Sequence, residues 1–137
     1  MAAQSREPDG GVSAFHADGP ATFCVRCTMG CAVVVATGEI DLYTAPALRD
    51  SLVKAGESSS RIVIDLTDVT FVDSTGLGVM LGALGRARDT DRSVSLVGPT
   101  DMVKRVLQIT HLDQVFPTYA LLDEALTSRP RSDLQTL

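Results

Sequence analysis

"RIVIDLTDVTFVDSTGLGVMLGALGRARD" (residues 61–89) is the stretch on which the fold turns. Its opening, "RIVIDL" (61–66), is a near-continuous apolar run bounded by polar residues, the pattern of a central strand covered on both faces. Further on, Leu77, Leu81 and Leu84 recur at i, i+4 and i+7, which marks one face of a helix over 75–89. "FVDSTGLG" (71–78) therefore spans a strand-to-helix junction. What Ser74 does at that junction decides whether the chain is a catalyst or a switch.

Working outward, "TFCVRC" (22–27) and "CAVVVATGEI" (31–40) are β-rich runs separated by "TMG", which predicts a hairpin turning at Gly30. "TAPALRDSLVKAG" (44–56) reads as a helix, with Thr44 as N-cap, Pro46 in the first turn and Gly56 at its end. "SVSLVG" (93–98) is the next strand. "TDMVKRVLQITHL" (100–112) is an amphipathic helix turning Val103, Val106, Leu107 and Thr110 inward, and "TYALLDEALTS" (118–128) is a last short helix. Strands alternating with helices predict an α/β sheet with helices packed against it. Such sheets carry their functional loops at the carboxyl ends of the strands. "GEIDLYT" and "FVDSTG" leave two strands in that way, so if those strands are neighbours, Asp41 and Asp73 flank Ser74. The folded unit covers residues 21–127. Pro8, Gly10, Gly11, Gly19 and Pro20, without apolar periodicity, predict a flexible tail over 1–20, and 128–137 reads similarly.

Composition narrows the function. The 137 residues are 45% hydrophobic with 4% aromatics and no Trp, so the core is built from aliphatic side chains and is large enough for one domain. A formal net charge of -5 argues against nucleic acid or an anionic membrane as partner. Arg86, Arg88 and Arg92 cluster, but Asp89 and Asp91 interrupt them, as on a solvated helix end. The longest apolar runs, 31–36 and 79–84, fall far short of a membrane span, and "MAAQSREPDGG" lacks the apolar centre of a signal peptide, so a cytoplasmic location is expected. Cys24, Cys27 and Cys31 invite a zinc or redox reading. No second C-x2-C follows, however, and residues three apart on a strand face opposite ways, so reduced structural thiols without a metal are expected.

Three chemistries compete for Ser74. A hydrolase elbow requires G-x-S-x-G, and the residue two before Ser74 is Val72. The candidate base, His111, lies near the end of a later helix with no sequence sign that it reaches Ser74, so no catalytic residue is assigned. Gly76, Gly78 and Gly82 resemble a dinucleotide loop, yet no acidic residue closes the next strand and no G-K-[ST] follows, so no cofactor is expected. Gly78, Gly82 and Gly85 share a helix face, which predicts close backbone packing there. The remaining role is a helix cap. One of Asp73, Ser74 and Thr75 suffices for that, and the others then stand at a helix N-terminus where a phosphate meets free amides and adds about -1.5 to -2 charge.

Three blocks, "GEIDLYTAPALRDSL" (38–52), "IVIDLTDVTFVDSTGLGVMLGALGRAR" (62–88) and "VKRVLQITHLDQVF" (103–116), resemble in order and spacing the STAS domain of bacterial anti-sigma factor antagonists, across about residues 21–127. The most specific segment is D-S-[ST]-G-L-G, here Asp73 to Gly78. The resemblance implies a mixed sheet of four to five strands with an N-terminal hairpin and about four helices, and no enzyme activity. It implies phosphorylation of Ser74 by an anti-sigma factor that is also an ATP-dependent serine kinase, with binding by the unphosphorylated form alone and release of the sigma factor. The resemblance also implies a metal-dependent serine phosphatase that resets the switch. Asp41, Asp73, Ser74, Thr75, Gly76 and Leu77 would form the partner-binding edge. The alternative within the family is a non-switching STAS adaptor of a lipid-transport or sensory complex. One departure is His111 in "THLD", where the family commonly places the glycine that ends a helix in a left-handed turn.

Overall fold

The computed structural model describes the backbone of residues 12–16 and, in full, residues 21–128. A six-stranded sheet runs in chain order: β1 (Val12–His16), β2 (Thr22–Thr28), β3 (Cys31–Ile40), β4 (Arg61–Val72), β5 (Ser93–Val97) and β6 (Thr118–Tyr119). β1, β2 and β3 pair antiparallel, and β3 through β6 pair parallel, so the sheet is mixed. The helices are α1 (Ala45–Ser58), α2 (Ser74–Asp89), α3 (Asp101–Ile109) and α4 (Leu122–Thr127). The α/β class, the hairpin and the four helices stand as expected from the sequence.

The two strands beyond those read from the sequence are β1 and β6. β1 lies in the stretch expected to be a tail, and its five residues are too short and too near glycine to give a period-2 signal. The rest of that tail and residues 129–137 lie outside the described residues. β6 is two residues long and takes the start of the expected last helix, which begins only at Leu122.

The main core lies on one face of the sheet, where side chains of α1, α2 and α3 meet Phe23, Val34, Ile64, Leu66 and Leu96. The other face is covered by α4, whose Ala125 and Leu126 pack on Cys31, Val33, Val63 and Val97. The Arg61 guanidinium ties α4 down by donating to the carbonyls of Ala125, Leu126 and Ser128 at 3.2, 3.1 and 2.7 Å.

β4 is twice the length of the expected 61–66 strand. Against β3 it carries an extra residue between the Val35–Asp65 and Thr37–Asp68 pairs, and another between Gly38–Val69 and Glu39–Phe71. Each bulge shifts the alternation by one, so Leu66, Val69 and Val72 all enter the core at three-residue spacing. No period-2 pattern survives there, which is why "TDVTFV" does not read as strand.

Several local expectations are corrected. Leu81 is 38% exposed, while Leu77, Met80, Ala83, Leu84 and Ala87 make the inward face of α2. The stripe at Gly78, Gly82 and Gly85 is not a packing face: a Cβ at Gly78 or Gly85 meets nothing within 4 Å, and at Gly82 only the Arg86 side chain. Gly56 lies inside α1 rather than ending it, and the Arg92 guanidinium donates to its carbonyl. Val106 is half-buried, and Thr110 is exposed because α3 has ended and its hydroxyl turns back to the Val106 carbonyl. His111 does adopt the left-handed conformation, at φ 63.

The hairpin turn is Met29–Gly30, with Thr28 paired to Cys31 and φ of 52 and 77 at the two turn residues. A two-residue turn with both φ positive favours Asn-Gly, and methionine is strained in it. Met29→Asn is expected to stabilise the protein by about 1 kcal/mol, since Met29 is 59% exposed and leaves no packing behind. Differential scanning fluorimetry should show a melting temperature higher by about 3–5 °C.

Candidate functional site

β3 and β4 are parallel neighbours in which Ile40 pairs with Val72, so the chains leave the sheet side by side at Asp41 and Asp73. The Asp73 amide donates to the Ile40 carbonyl at 3.0 Å, which locks the two exits together. Asp41 and Asp73 therefore follow neighbouring strand ends at one carboxyl end of the sheet.

The cap of α2 is Asp73. Its Oδ1 accepts the Gly76 amide at 3.0 Å and its carbonyl accepts the Leu77 amide at 3.0 Å. That assignment leaves Ser74, the first residue of the helix, exposed, and among the described residues its hydroxyl has no hydrogen-bond partner. No base is joined to it either. Thr75 is half-buried beside it, while Gly76 and Leu77 are buried and shape the edge from beneath. Gly76 is where the helix touches the sheet: a Cβ there would lie 2.5 Å from Ile40 Cγ2 and 2.9 Å from Val72 Cγ2.

Asp41 works differently from Asp73. Its Oδ1 accepts two amides of its own loop, Tyr43 at 2.9 Å and Thr44 at 3.1 Å. Thr44 stands at the N-cap position of α1 but makes no side-chain cap bond. Its buried hydroxyl instead donates to the Glu39 carbonyl at 2.9 Å and accepts the Asp41 amide at 2.8 Å. These bonds hold Leu42 and Tyr43 out in solvent, 61% and 74% exposed. Neither was a candidate from the sequence. The available signal was two large apolar side chains at a loop position with no helical or strand period.

Between the first turns of α1 and α2 runs a groove of about 330 Å³, lined by Leu42, Ala45, Pro46, Arg49, Asp50, Thr75 and Val79. It joins the Asp41 loop to the Ser74 turn. A larger groove of about 510 Å³ lies between the far ends of the same helices, over Leu52, Val53 and Ala87 with Arg86 and Arg92 at its rim.

The cysteines do not converge. Cys27 packs toward the main core, and Cys31 is buried on the opposite face under α4. Cys24 pairs with Val35, four residues along β3 from Cys31, or about 13 Å. Burial pushes the Cys31 thiol up from its ordinary range, an effect that Arg61 only partly offsets. Among the described residues no group of three His, Cys, Asp or Glu side chains is placed to hold a metal ion. No helix among them is long and apolar enough to cross a membrane.

The STAS domain family model matches residues 22–125. The anti-sigma-B factor antagonist of Listeria monocytogenes is 39% identical over 83 residues, covering 60% of this chain and 73% of its own length. That of Bacillus subtilis is 38% identical over 78 residues, covering 57% and 72%. Among solved structures, an anti-sigma factor antagonist from Mycobacterium paratuberculosis superposes with a TM-score of 0.72 at 34% identity, over 79% of this chain and 92% of its own.

Proposed function

The chain belongs to the STAS domain family, and on that footing we propose that it is an anti-sigma factor antagonist gated by phosphorylation of Ser74. Antagonism of an anti-sigma factor follows from relatives named for it that this chain matches over most of their length. The finer reading is a switch. Unmodified, the chain binds an anti-sigma factor that is also an ATP-dependent serine kinase, and the sigma factor is released. Phosphorylated, it lets go, and a serine phosphatase restores it. The chain itself catalyses nothing.

One observation supports this reading above the others: Asp73 has taken the capping role, so the Ser74 hydroxyl is exposed and unengaged at the head of α2. Transfer of the γ-phosphoryl group of ATP to that oxygen, with loss of its proton and departure of ADP, disturbs no bond of the fold. The new group sits at the positive end of a 16-residue helix.

Paired baits test it. Ser74→Ala and Ser74→Asp forms are used to capture proteins from the source cell, and the recovered proteins are identified by mass spectrometry. An ATP-binding anti-sigma factor is expected in much greater yield with the Ala form than with the Asp form. The same proteins on both baits would favour a non-switching adaptor.

A further inference from the structure

We infer that Leu42 and Tyr43 are the side chains that select the anti-sigma factor, and that Asp41 is a positioning residue acting through them rather than a charged contact. The inference rests on the function proposed above and names what its binding edge recognises.

Single exposed apolar side chains are ordinary and call for no explanation. These two differ in being consecutive and in standing on a loop with little freedom. Asp41 Oδ1 takes the Tyr43 and Thr44 amides, the Asp41 carbonyl takes the Ala45 amide at 2.8 Å, and the Thr44 hydroxyl bridges the Glu39 carbonyl and the Asp41 amide. A loop so fixed has already lost the conformational entropy that binding would otherwise remove. Tyrosine ranks among the residues that dominate binding energy when they enter a partner's pocket. Neither side chain contributes to the core.

The occupant follows from continuity. Leu42 and Thr75 line one groove, and Tyr43 and Ser74, which do not line it, are their exposed chain neighbours. A partner that senses the state of Ser74 therefore covers Leu42 and Tyr43 as well. Its chemistry is that of an apolar surface that takes up a leucine and a tyrosine side chain beside the Arg49 and Asp50 side chains of the groove. Asp41 spends Oδ1 on its own loop, and asparagine presents the same acceptor at that place. The carboxylate charge is therefore dispensable and the acceptor is not.

The test uses the anti-sigma factor recovered by the Ser74→Ala bait, purified, with affinities measured by titration calorimetry on the full chain. Tyr43→Ala is expected to weaken binding by about 30-fold or more, and Leu42→Ala by about 10-fold. Asp41→Asn should stay within about 3-fold of the unaltered chain, while Asp41→Ala falls by about 10-fold. In the free chain, amide exchange at Tyr43 and Thr44 should quicken in Asp41→Ala and stay unchanged in Asp41→Asn. Unaltered affinity in Tyr43→Ala overturns the selection role. Equal loss in Asp41→Asn and Asp41→Ala, with exchange unchanged, makes Asp41 a charged contact and overturns the positioning role. A concentration-dependent dimer of the free chain that Tyr43→Ala abolishes would assign the surface to a second copy and overturn the proposal. If the partner binds but Ser74 phosphorylation leaves its affinity intact, the switch reading fails while the Tyr43 result still decides this one. If no partner is recovered, the function reading fails and the selection role of Leu42 and Tyr43 falls with it, while amide exchange still decides the role of Asp41.

Discussion

Adding one methyl group at residue 76 is expected to destabilise the protein by about 2–3 kcal/mol, within the range for overpacking a filled core. The Gly76→Ala side chain would start 2.5 Å from Ile40 Cγ2 and 2.9 Å from Val72 Cγ2, closer than real carbon atoms approach. Those neighbours cannot withdraw. Ile40 and Val72 are 0% and 2% exposed, both are β-branched with a stiff χ1, and they form the last paired register of β3 and β4. The methyl group therefore lifts the first turn of α2 from the sheet, and Ser74 rides on that turn. Thermal melting should show a midpoint lower by roughly 6–15 °C. The same substitution elsewhere in the helix supplies the control. Gly78→Ala and Gly85→Ala place their methyl groups in open space and are expected to stabilise by about 0.5–1 kcal/mol each, because alanine holds a helix better than glycine. Opposite signs from one chemical change within a single helix separate packing from propensity. A Gly76→Ala protein that melts like the unaltered chain would remove the close approach from the account of the site.

Much of this was legible without coordinates, and the parts that were not share a cause. Strand and helix order follows from apolar periodicity, and the meeting of Asp41 with Asp73 required only that β3 and β4 be neighbours. The second half of β4 was hidden because its two bulges replace a period of two with a spacing of three, a pattern that resembles neither strand nor helix. Gly78, Gly82 and Gly85 have the spacing of a packing face, but α2 already turns Leu77, Met80, Leu84 and Ala87 to the sheet, which leaves the glycines on the solvent side. Asp73 as the cap, in preference to Ser74 or Thr75, depends on a backbone exit direction set by the Ile40 contact. The inward use of Asp41 depends on side-chain-to-backbone bonds within its own loop, which leave no mark on residue spacing. Sequence pattern reports which residues recur together, whereas each of these features is a choice among equivalent partners that tertiary contact makes.

Stoichiometric phosphorylation of Ser74 is expected to weaken binding to the anti-sigma factor by about a thousandfold while leaving the fold intact, and the two halves of that expectation have different physical origins. In the free chain the new dianion stands in water at the head of α2. Among the described residues no side chain takes the Ser74 and Thr75 amides there, since Asp73 serves Gly76. The helix end favours an anion by about 0.3–1 kcal/mol, and repulsion from Asp41 and Asp73 acts through high-dielectric solvent at about 1 kcal/mol or less for each. The net is a small destabilisation, on the order of 1 kcal/mol at most, so the melting temperature should fall by no more than a few degrees. In the complex the same group is taken from water with no described cation of this chain bonded to it, and an uncompensated buried charge costs about 3–5 kcal/mol. About 4 kcal/mol is a thousandfold in affinity. Ser74→Asp carries about half the charge on a shorter side chain, so a loss of only about 30-fold is expected of it, and Ser74→Ala should bind as the unmodified chain does. Salt separates desolvation from surface repulsion. A burial penalty persists when ionic strength is raised to about 1 M, where the screening length falls to about 3 Å, whereas repulsion between exposed charges largely disappears. Titration calorimetry with the phosphorylated chain at low and high salt therefore decides the mechanism. A thousandfold loss that salt does not restore places Ser74 inside the interface. A loss that salt abolishes places it outside, acting at a distance through its field, and binding unchanged by the phosphate would end the gating account altogether.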